Sequence, residues 1–194
     1  MQFSIRCVIL VFKKKQTEDN EKTFIDELFD WLKTICVTFA AVLLIFTFIA
    51  RTARVNGPSM EPTLIENDML ILWSLGYKPQ QGDIVACNCE GLGKVIVKRI
   101  VAVGGQEVYI DFAAGKVYVD GVEFLVDGLL NVTTLRESNY NYPITVPEGK
   151  YFVLGDNRQK STDSRDSNVG FVDREDILGK AVMRILPFNK FGMV

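Results

Sequence analysis

The chain has 194 residues, of which 48% are hydrophobic, a formal net charge of −2 and no histidine. This length suits one main domain with an anchor or small appendage, and the weak negative charge argues against a general nucleic-acid-binding protein. Without histidine, a Ser-His-Asp catalytic triad is excluded within the chain, so a serine nucleophile would need a different base.

The first fifty residues combine a charged tail with an apolar segment. Three lysines open the charged stretch at residues 13–15, and residues 34–50 carry no charged side chain. As a helix, that run is about 26 Å long, just short of a bilayer core, and lysines before such a run stay in the cytoplasm. We predict a cytoplasmic tail (1–30), a single-pass transmembrane anchor (31–50) and an extracytoplasmic domain (55–194). A cleaved signal peptide is the alternative, which the late start of the run disfavours.

A serine between two prolines follows the apolar segment. Pro58 and Pro62 flank Ser59, and Gly57 precedes them. Proline fixes its own φ and disfavours the helical region for the preceding residue, so Ser59 is presented from a rigid, non-helical segment. A glycine lets bare backbone approach a ligand, and a serine nucleophile needs nearby N–H groups to hold an oxyanion. An ordinary surface serine in a proline-rich turn is the alternative.

The remainder of the chain has the pattern of short strands separated by glycine and proline turns. Asp120-Gly121 within residues 116–125 is a two-residue hairpin signal. Residues 106–146 form a short insertion or loop-rich lobe in this interpretation. Many short strands with such turns indicate a mainly β, barrel-like domain. The other predicted strands cover residues 68–73, 84–88, 94–103, 108–110, 151–154 and 181–186.

The strand predicted over residues 94–103 supplies a candidate base. Because side chains alternate along a strand, Lys98 should share a face with Ile96, Ile100 and Ala102, and the opposite face is also largely apolar. Apolar neighbours lower the pKa of a lysine and make it a candidate general base. A lysine that reaches solvent at a strand end is the alternative.

A polar loop follows the strand at residues 151–154. Residues 155–166 are crowded with polar and charged side chains, among which Asp163 and Arg165 are placed to pair. Hydrogen-bonded Ser, Asn and Asp side chains would hold this loop in one shape. Its acidic spacing does not match a calcium loop, and arginines would repel a metal. We therefore predict a scaffold for an active site, with no metal.

The four cysteines show no zinc-binding spacing. Cys87 and Cys89 are two residues apart, too close for an unstrained disulfide along one strand. We interpret them as free thiols or small core residues, with a metal or redox site as the alternative.

Four blocks of sequence together resemble the bacterial type I signal peptidases, a family of membrane-anchored Ser-Lys endopeptidases. The resemblance covers the anchor and nearly all of the chain after it, and it implies the family's β-rich catalytic domain. In family order, the blocks are Gly57-Pro58-Ser59-Met60-Glu61-Pro62-Thr63-Leu64, then Tyr77-Lys78-Pro79 with Gly82-Asp83-Ile84-Val85, then Lys98-Arg99-Ile100-Val101-Ala102-Val103-Gly104-Gly105, and Gly155-Asp156-Asn157-Arg158 with Ser161, Asp163, Ser164 and Arg165.

The resemblance implies a role for each matching residue. Ser59 would be the nucleophile and Lys98 the general base, with Ser161 orienting the lysine. Asp163 and Arg165 would form a structural pair that braces the polar loop.

The same resemblance implies an oxyanion site and a substrate cleft. The Ser59 backbone N–H would be one oxyanion donor. Some members carry a serine two residues before the nucleophile as the second donor. Gly57 occupies that position here, so we expect a backbone N–H instead. Met60 would lie near the substrate cleft.

The implied activity is removal of signal peptides from preproteins at the bilayer surface. Small residues such as Ala are expected at positions −1 and −3 before the cut, and no cofactor is expected. The partners are preproteins and the lipid bilayer, not nucleic acid, and the protein is expected to be monomeric. A self-cleaving Ser-Lys regulator would instead carry a DNA-binding domain and no span. A membrane-anchored binding module would not need Ser59, Lys98 and Ser161 together.

Overall fold

The computed structural model describes residues 24–44, 50–126 and 138–194. Predictions for residues 1–23, 45–49 and 127–137, which are most of the tail, the end of the anchor and part of the loop-rich lobe, lie outside the described residues. The chain divides into two compact units, Met1–Thr47 and Phe48–Val194.

A helix, α1, covers residues 24–44 in the first unit, as the helical spacing of apolar residues predicts. Its large apolar side chains are exposed on all sides, among them Phe24, Trp31 and Phe39. Within the described residues, no helix combines the length and the apolar character needed to cross a bilayer.

The second unit contains two antiparallel sheets. Their strands are β1 (Ala50–Arg54), β2 (Met69–Trp73), β3 (Ile84–Cys89), β4 (Lys94–Val103), β5 (Glu107–Asp111), β6 (Lys116–Val119), β7 (Val122–Glu123), β8 (Ile144–Thr145), β9 (Lys150–Leu154), β10 (Val172–Asp173), β11 (Ile177–Leu186) and β12 (Gly192–Met193). The larger sheet has the strand order β1-β2-β11-β3-β4-β9-β10, with β12 beside β11, and the smaller sheet has the order β7-β6-β5-β8.

The mainly β prediction is confirmed, but the predicted barrel is wrong. In the described residues, the larger sheet runs openly from β1 to β10 and the smaller from β7 to β8. Closing a barrel requires the two edge strands of a sheet to pair with each other. Turn signals locate the ends of strands, but they carry no information about which distant edges meet.

The hairpin predicted at Asp120-Gly121 is confirmed. These residues join β6 to β7, where Val119 pairs with Val122. Their φ angles are 51° and 79°. Two successive positive φ angles characterise the type I′ turn, whose twist matches that of the strands it connects.

A β-bulge in β4 alters the side-chain alternation that the sequence predicts. The register of β4 against β9 shifts between Ile100 and Ala102, so Val101 is an extra residue. Ala102 therefore packs in the same apolar cluster as Val101, while Val103 packs against the cluster that contains Ile96 and Ile100. The prediction that Lys98 shares a face with Ala102 is wrong, because the extra residue reverses the alternation.

Candidate active site

Ser59 lies in the connection between β1 and β2, in a segment (residues 57–64) that we refer to as the serine turn. Two tight backbone hydrogen bonds shape this segment, from the Glu61 N–H to the Pro58 carbonyl at 3.2 Å and from the Leu64 N–H to the Met60 carbonyl at 2.9 Å. Met60 and Leu64 are fully buried in a core cluster, whereas Ser59 stays half-buried. The two apolar side chains thus anchor the segment in the core, while Ser59 between them and the surface stays partly exposed.

The Ser59 hydroxyl meets Lys98, which lies near the middle of β4. Lys98 Nζ is 2.8 Å from Ser59 Oγ and 3.0 Å from the Val97 carbonyl oxygen. The lysine is only 3% exposed. These contacts direct the amine at the serine oxygen, which is the geometry required for proton transfer between a nucleophile and its base.

The surroundings of Lys98 favour its neutral form. Burial lowers the pKa of Lys98 below the usual lysine value, because the charged ammonium loses its hydration. The carboxylate of Asp163 offsets part of this change, and the positive charge of Lys94 adds to it. The burial of Lys98 that the apolar strand predicts is therefore confirmed. The change in its pKa has the direction expected for a general base.

Three segments meet at Gly155, the first residue of the polar loop. A Cβ atom at this position would collide with the Ser161 side chain and with the Ser59 carbonyl oxygen. The Asn157 N–H donates to the same Ser59 carbonyl at 3.0 Å. Glycine is thus required for the loop to pack directly against the backbone of the serine turn.

Asp163 and Arg165 form a buried, two-pronged ion pair. Arg165 Nε lies 2.8 Å from Asp163 Oδ1, and Arg165 Nη2 lies 2.8 Å from Oδ2. Asp163 also accepts the Gly155 N–H at 3.0 Å, and Arg165 donates to the Arg158 carbonyl at 2.7 Å. The pair therefore ties both ends of the loop together.

The groups around Asp163 favour its charged form. Burial alone would raise the pKa of the carboxyl, but the hydrogen bonds and charge of Arg165 outweigh it. With the Gly155 N–H and the Ser161 hydroxyl, they hold the pKa of Asp163 below its usual value. Ser161 and Asp163 thus contact each other beside Gly155, at the point where the polar loop packs against the serine turn.

A cavity of about 220 Å³ adjoins Ser59 and Lys98. It lies between the segment from Arg54 to Ser59 and the first half of β4. Residues 94–98 pair with β3 along one edge, whereas β9 pairs with β4 only from Arg99 onward. The lining of the cavity also includes Leu92, Lys160 and Thr162. A second edge of β4 is therefore available at the cavity over residues 94–98.

The segment that carries Ser59 contains two backbone N–H groups that the described residues do not engage. Within the described part of the chain, the N–H groups of Gly57 and Ser59 make no hydrogen bond. Gly57 has a φ of +78° and open space where a Cβ atom would stand. This conformation suits glycine and leaves the peptide backbone accessible.

Comparison with known proteins identifies the family to which this site belongs. The sequence pattern of the family described as "Signal peptidase, peptidase S26" matches residues 28–186. The chain belongs to the signal peptidase family. The predicted resemblance is thereby confirmed, and Ser59, Lys98, Ser161, Asp163 and Arg165 all fall inside the matched residues.

Individual signal peptidases are similar over most of the chain. A probable signal peptidase I-2 from a Synechocystis strain is 35% identical over 176 residues, which are 84% of this chain and 77% of that protein. Signal peptidase I P from Bacillus subtilis subsp. natto is 33% identical over 183 residues, 89% of this chain and 96% of that protein. A crystal structure of a signal peptidase I from Enterococcus faecalis aligns with a TM-score of 0.41 and 31% identity, covering 54% of this chain and 97% of that one.

A second ion pair, between the partly buried Arg99 and the buried Asp156, was not assigned a role from the sequence. Arg99 Nε and Nη2 lie 2.8 and 2.7 Å from the two carboxylate oxygens of Asp156. The Thr63 hydroxyl donates to Asp156 Oδ2 at 2.6 Å. The strand of Lys98, the polar loop and the serine turn are thus joined at one carboxylate. A signal was available, because a cation such as Arg99 within an apolar strand needs an acidic partner.

The two cysteines of β3 are buried in the core of this signal peptidase. The Cys87 thiol lies 3.8 Å from the Ile96 carbonyl oxygen, and the Cys89 thiol lies 3.5 Å from the Asn168 carbonyl oxygen. Burial raises the pKa of Cys87 to about 12. Both therefore act as small core residues, and neither thiol is placed for redox exchange.

Proposed function

We propose that the protein is a membrane-bound serine endopeptidase that removes signal peptides from secreted preproteins with a Ser59–Lys98 dyad. The observation that carries this proposal is the 2.8 Å contact between Ser59 Oγ and the Nζ of a buried lysine. Membership of the signal peptidase family supports the substrate class. In a chain without histidine, a desolvated lysine is the base that this geometry offers.

The first chemical step in the proposed mechanism is acylation of Ser59. Neutral Lys98 takes the hydroxyl proton while Ser59 Oγ attacks the scissile carbonyl. The N–H groups of Ser59 and Gly57 stabilise the developing oxyanion, the second of them in place of a side-chain hydroxyl. The lysine then donates its proton to the leaving amine. Water attacks the acyl-enzyme with the same lysine as base, which releases the new carboxylate.

The proposed substrate binds as an added strand. The edge of β4 at residues 94–98 lines the cavity, and main-chain hydrogen bonds to such an edge hold an extended peptide without reading its sequence. The substrate side chains that precede the cleavage site then enter a cavity of only about 220 Å³, which is lined in part by Ile96 and Leu92. Small residues such as Ala at −1 and −3 suit this volume, and Met60 forms part of the core beside the serine.

The proposed location is the cell membrane, with the N-terminus in the cytoplasm and the β-rich unit outside. Helix α1 has exposed apolar side chains all around, a pattern that is stable in apolar surroundings. In the second unit, Phe188, Phe191 and Met193 are 83%, 60% and 76% exposed. Exposed aromatic residues next to Lys190 suit an interface with lipid headgroups. Preproteins and the bilayer are the proposed partners of a monomeric enzyme.

The decisive experiment is cleavage of a preprotein with an Ala-x-Ala site by protein in lipid vesicles. We expect Ser59→Ala to reduce the rate by at least roughly a thousandfold, because the nucleophile is lost. Ser74→Ala, which removes a hydroxyl outside the site, should cleave at the wild-type rate. Cleavage by Ser59→Ala at a rate similar to that of the wild type would exclude Ser59 as the nucleophile. A wild-type protein that does not cut with lipid present would contradict the function itself.

Thr63 is expected to position the serine turn through Asp156. Thr63→Val keeps the shape of the side chain but removes the 2.6 Å hydrogen bond to the carboxylate. We expect kcat to fall by roughly ten- to a hundredfold with little change in KM, since a hydrogen bond to a charged group contributes about 1.5–3 kcal/mol. Steady-state peptide kinetics provide the measurement.

Two further variants make the Thr63 experiment interpretable. Thr63→Ser retains the hydroxyl and should recover most of the activity, while Thr145→Val, at an exposed threonine of β8, should be neutral. Wild-type kcat in Thr63→Val would show that the serine turn holds its position without this bond.

A further inference from the structure

Three exposed cations line the cavity beside the proposed dyad. Arg54 lies on one side, Lys94 at the start of β4, and Lys160 in the polar loop. No Asp or Glu is among the lining residues, although the chain as a whole has a net charge of −2. We refer to Arg54, Lys94 and Lys160 as the basic rim.

The charge of the basic rim is not neutralised by the described parts of the protein. Other lysines do have acidic partners, as in the ion pairs Lys116–Glu123, Lys150–Asp173 and Lys180–Asp83. No ion pair of residues 50–126 and 138–194 includes a rim residue. A concave site lined by one sign of charge attracts ligands of the opposite sign.

The strand spacing of β4 relates the basic rim to the reaction centre. Lys94, Ile96 and Lys98 lie on one face of the strand, because side chains alternate. At about 3.3 Å per residue, Lys94 is roughly 13 Å along the strand from Lys98. A peptide that runs parallel to β4 along this edge, with its scissile carbonyl at Ser59, has residue −1 level with Lys98. Its residue −5, four positions earlier, is then level with Lys94 and on the same face as residue −1.

We propose that the basic rim is a specificity site for an acidic side chain at position −5 of the preprotein. This inference rests on the proposed function, because it takes the segment before the cut as the occupant of the cavity. The concave shape between residues 54–59 and β4, with the proposed dyad at one end, favours a peptide carboxylate over a flat anionic lipid surface. Lys94 is the central contact, and Arg54 and Lys160 add to the field.

The effect should be moderate and sensitive to salt. The rim side chains are exposed, and ion pairs in such surroundings are weak and screened by ions. We expect a peptide with Glu at −5 to be cleaved with a kcat/KM roughly three- to tenfold above that of the Gln peptide at low ionic strength. The ratio should approach one at about 1 M salt, where the screening length is about 3 Å.

The experiment compares the Glu and Gln peptides in each variant of the full-length protein in neutral detergent micelles. Lys94→Gln is expected to bring the Glu/Gln ratio close to one. Lys78→Gln removes the same charge at an exposed lysine outside the cavity and should keep the wild-type ratio. Lys94→Glu should invert the preference toward a peptide with Lys at −5. Ratios within one variant cancel any change that the substitution makes to the chemical step.

The outcomes separate this inference from the proposed function. If the wild type cleaves both peptides equally at low salt, the specificity site is overturned while the peptidase function stands. If Lys94→Gln keeps the wild-type ratio, the basic rim is not the cause of the preference. If Lys94→Gln instead weakens binding to vesicles of anionic phospholipid and leaves the peptide ratio unchanged, the rim contacts lipid, and the proposal is wrong. Absence of any cleavage by the wild type would refute the peptidase function itself.

Discussion

Replacing Lys98 with methionine is expected to abolish peptide cleavage and, at neutral pH, to make the folded protein more stable than the wild type. The proposed base is removed, so the rate should fall by at least roughly a thousandfold. Stability should rise because the lysine is 3% exposed and burial of its charge is unfavourable. We expect a gain of about 0.5–2 kcal/mol in the free energy of unfolding, which is the usual range for a single stabilising substitution.

The pH dependence of this stability gain has a defined sign. The folded-state pKa of Lys98 is below that of an ordinary lysine, so burial destabilises the wild type fully at pH values below the folded pKa. As the pH rises from there to the ordinary lysine value, the folded state has already lost its proton and the penalty disappears. The advantage of Lys98→Met should therefore be largest at neutral or lower pH and shrink under alkaline conditions.

Thermal unfolding of both proteins in neutral detergent between pH 6 and pH 10 measures this difference. A gain of 1 kcal/mol corresponds to a midpoint about 2–4 °C higher for a protein of this size. Lys94→Met, which changes an exposed lysine on the same strand, should leave the free energy of unfolding within about 0.5 kcal/mol of the wild-type value. A Lys98→Met variant that is less stable at every pH would show that the lysine is not a strained group.

The second large effect is expected at the buried pair of Asp163 and Arg165. Arg165→Met leaves the Asp163 carboxylate buried without its cation, and breaking such a pair destabilises a protein by about 3–5 kcal/mol. The polar loop should then separate from the serine turn, so cleavage should also be lost. The destabilisation should be smaller at acidic pH, because the isolated carboxyl can take up a proton that the paired one does not bind.

Guanidinium unfolding at pH 7 and pH 5 tests this expectation. Lys150→Met breaks the exposed pair with Asp173, whose side chains are 38% and 53% exposed, and should change stability by less than about 1 kcal/mol. The double variant Asp163→Leu/Arg165→Met removes both charges and should be less destabilised than Arg165→Met alone. Equal losses in Arg165→Met and Lys150→Met would contradict the structural role of the buried pair.

Much of the fold and of the candidate site could be predicted from local sequence patterns. Alternating apolar residues located the strands, and Asp120-Gly121 located a hairpin that the backbone angles confirm. The absence of histidine indicated that a serine nucleophile would need another base, such as a lysine. The apolar residues around Lys98 in the sequence indicated its burial. Each of these inferences depends on residues that are close together in the chain.

The parts that could not be predicted depend on distant residues. The Thr63–Asp156 hydrogen bond joins positions 93 residues apart, and neither side chain has a local pattern that indicates a partner. The open edges of the two sheets follow from strand pairings across the whole unit rather than from turns. The bulge at Val101 could not be predicted from the sequence, because both faces of β4 are apolar. A reversal of the side-chain alternation therefore leaves the hydrophobic pattern unchanged.

That bulge allows the two ends of β4 to follow different partners. The end that carries Lys98 pairs with β3 over residues 94–99, whereas Ala102 and Val103 pair with β9 one residue out of phase with the part before Val101. We expect the lobe at residues 106–146 to tolerate changes of length, because it follows β4 beyond the bulge, on the side away from Lys98. The peripheral lobe can then be remodelled in length and sequence, by evolution or by an engineer, while the proposed dyad keeps its orientation.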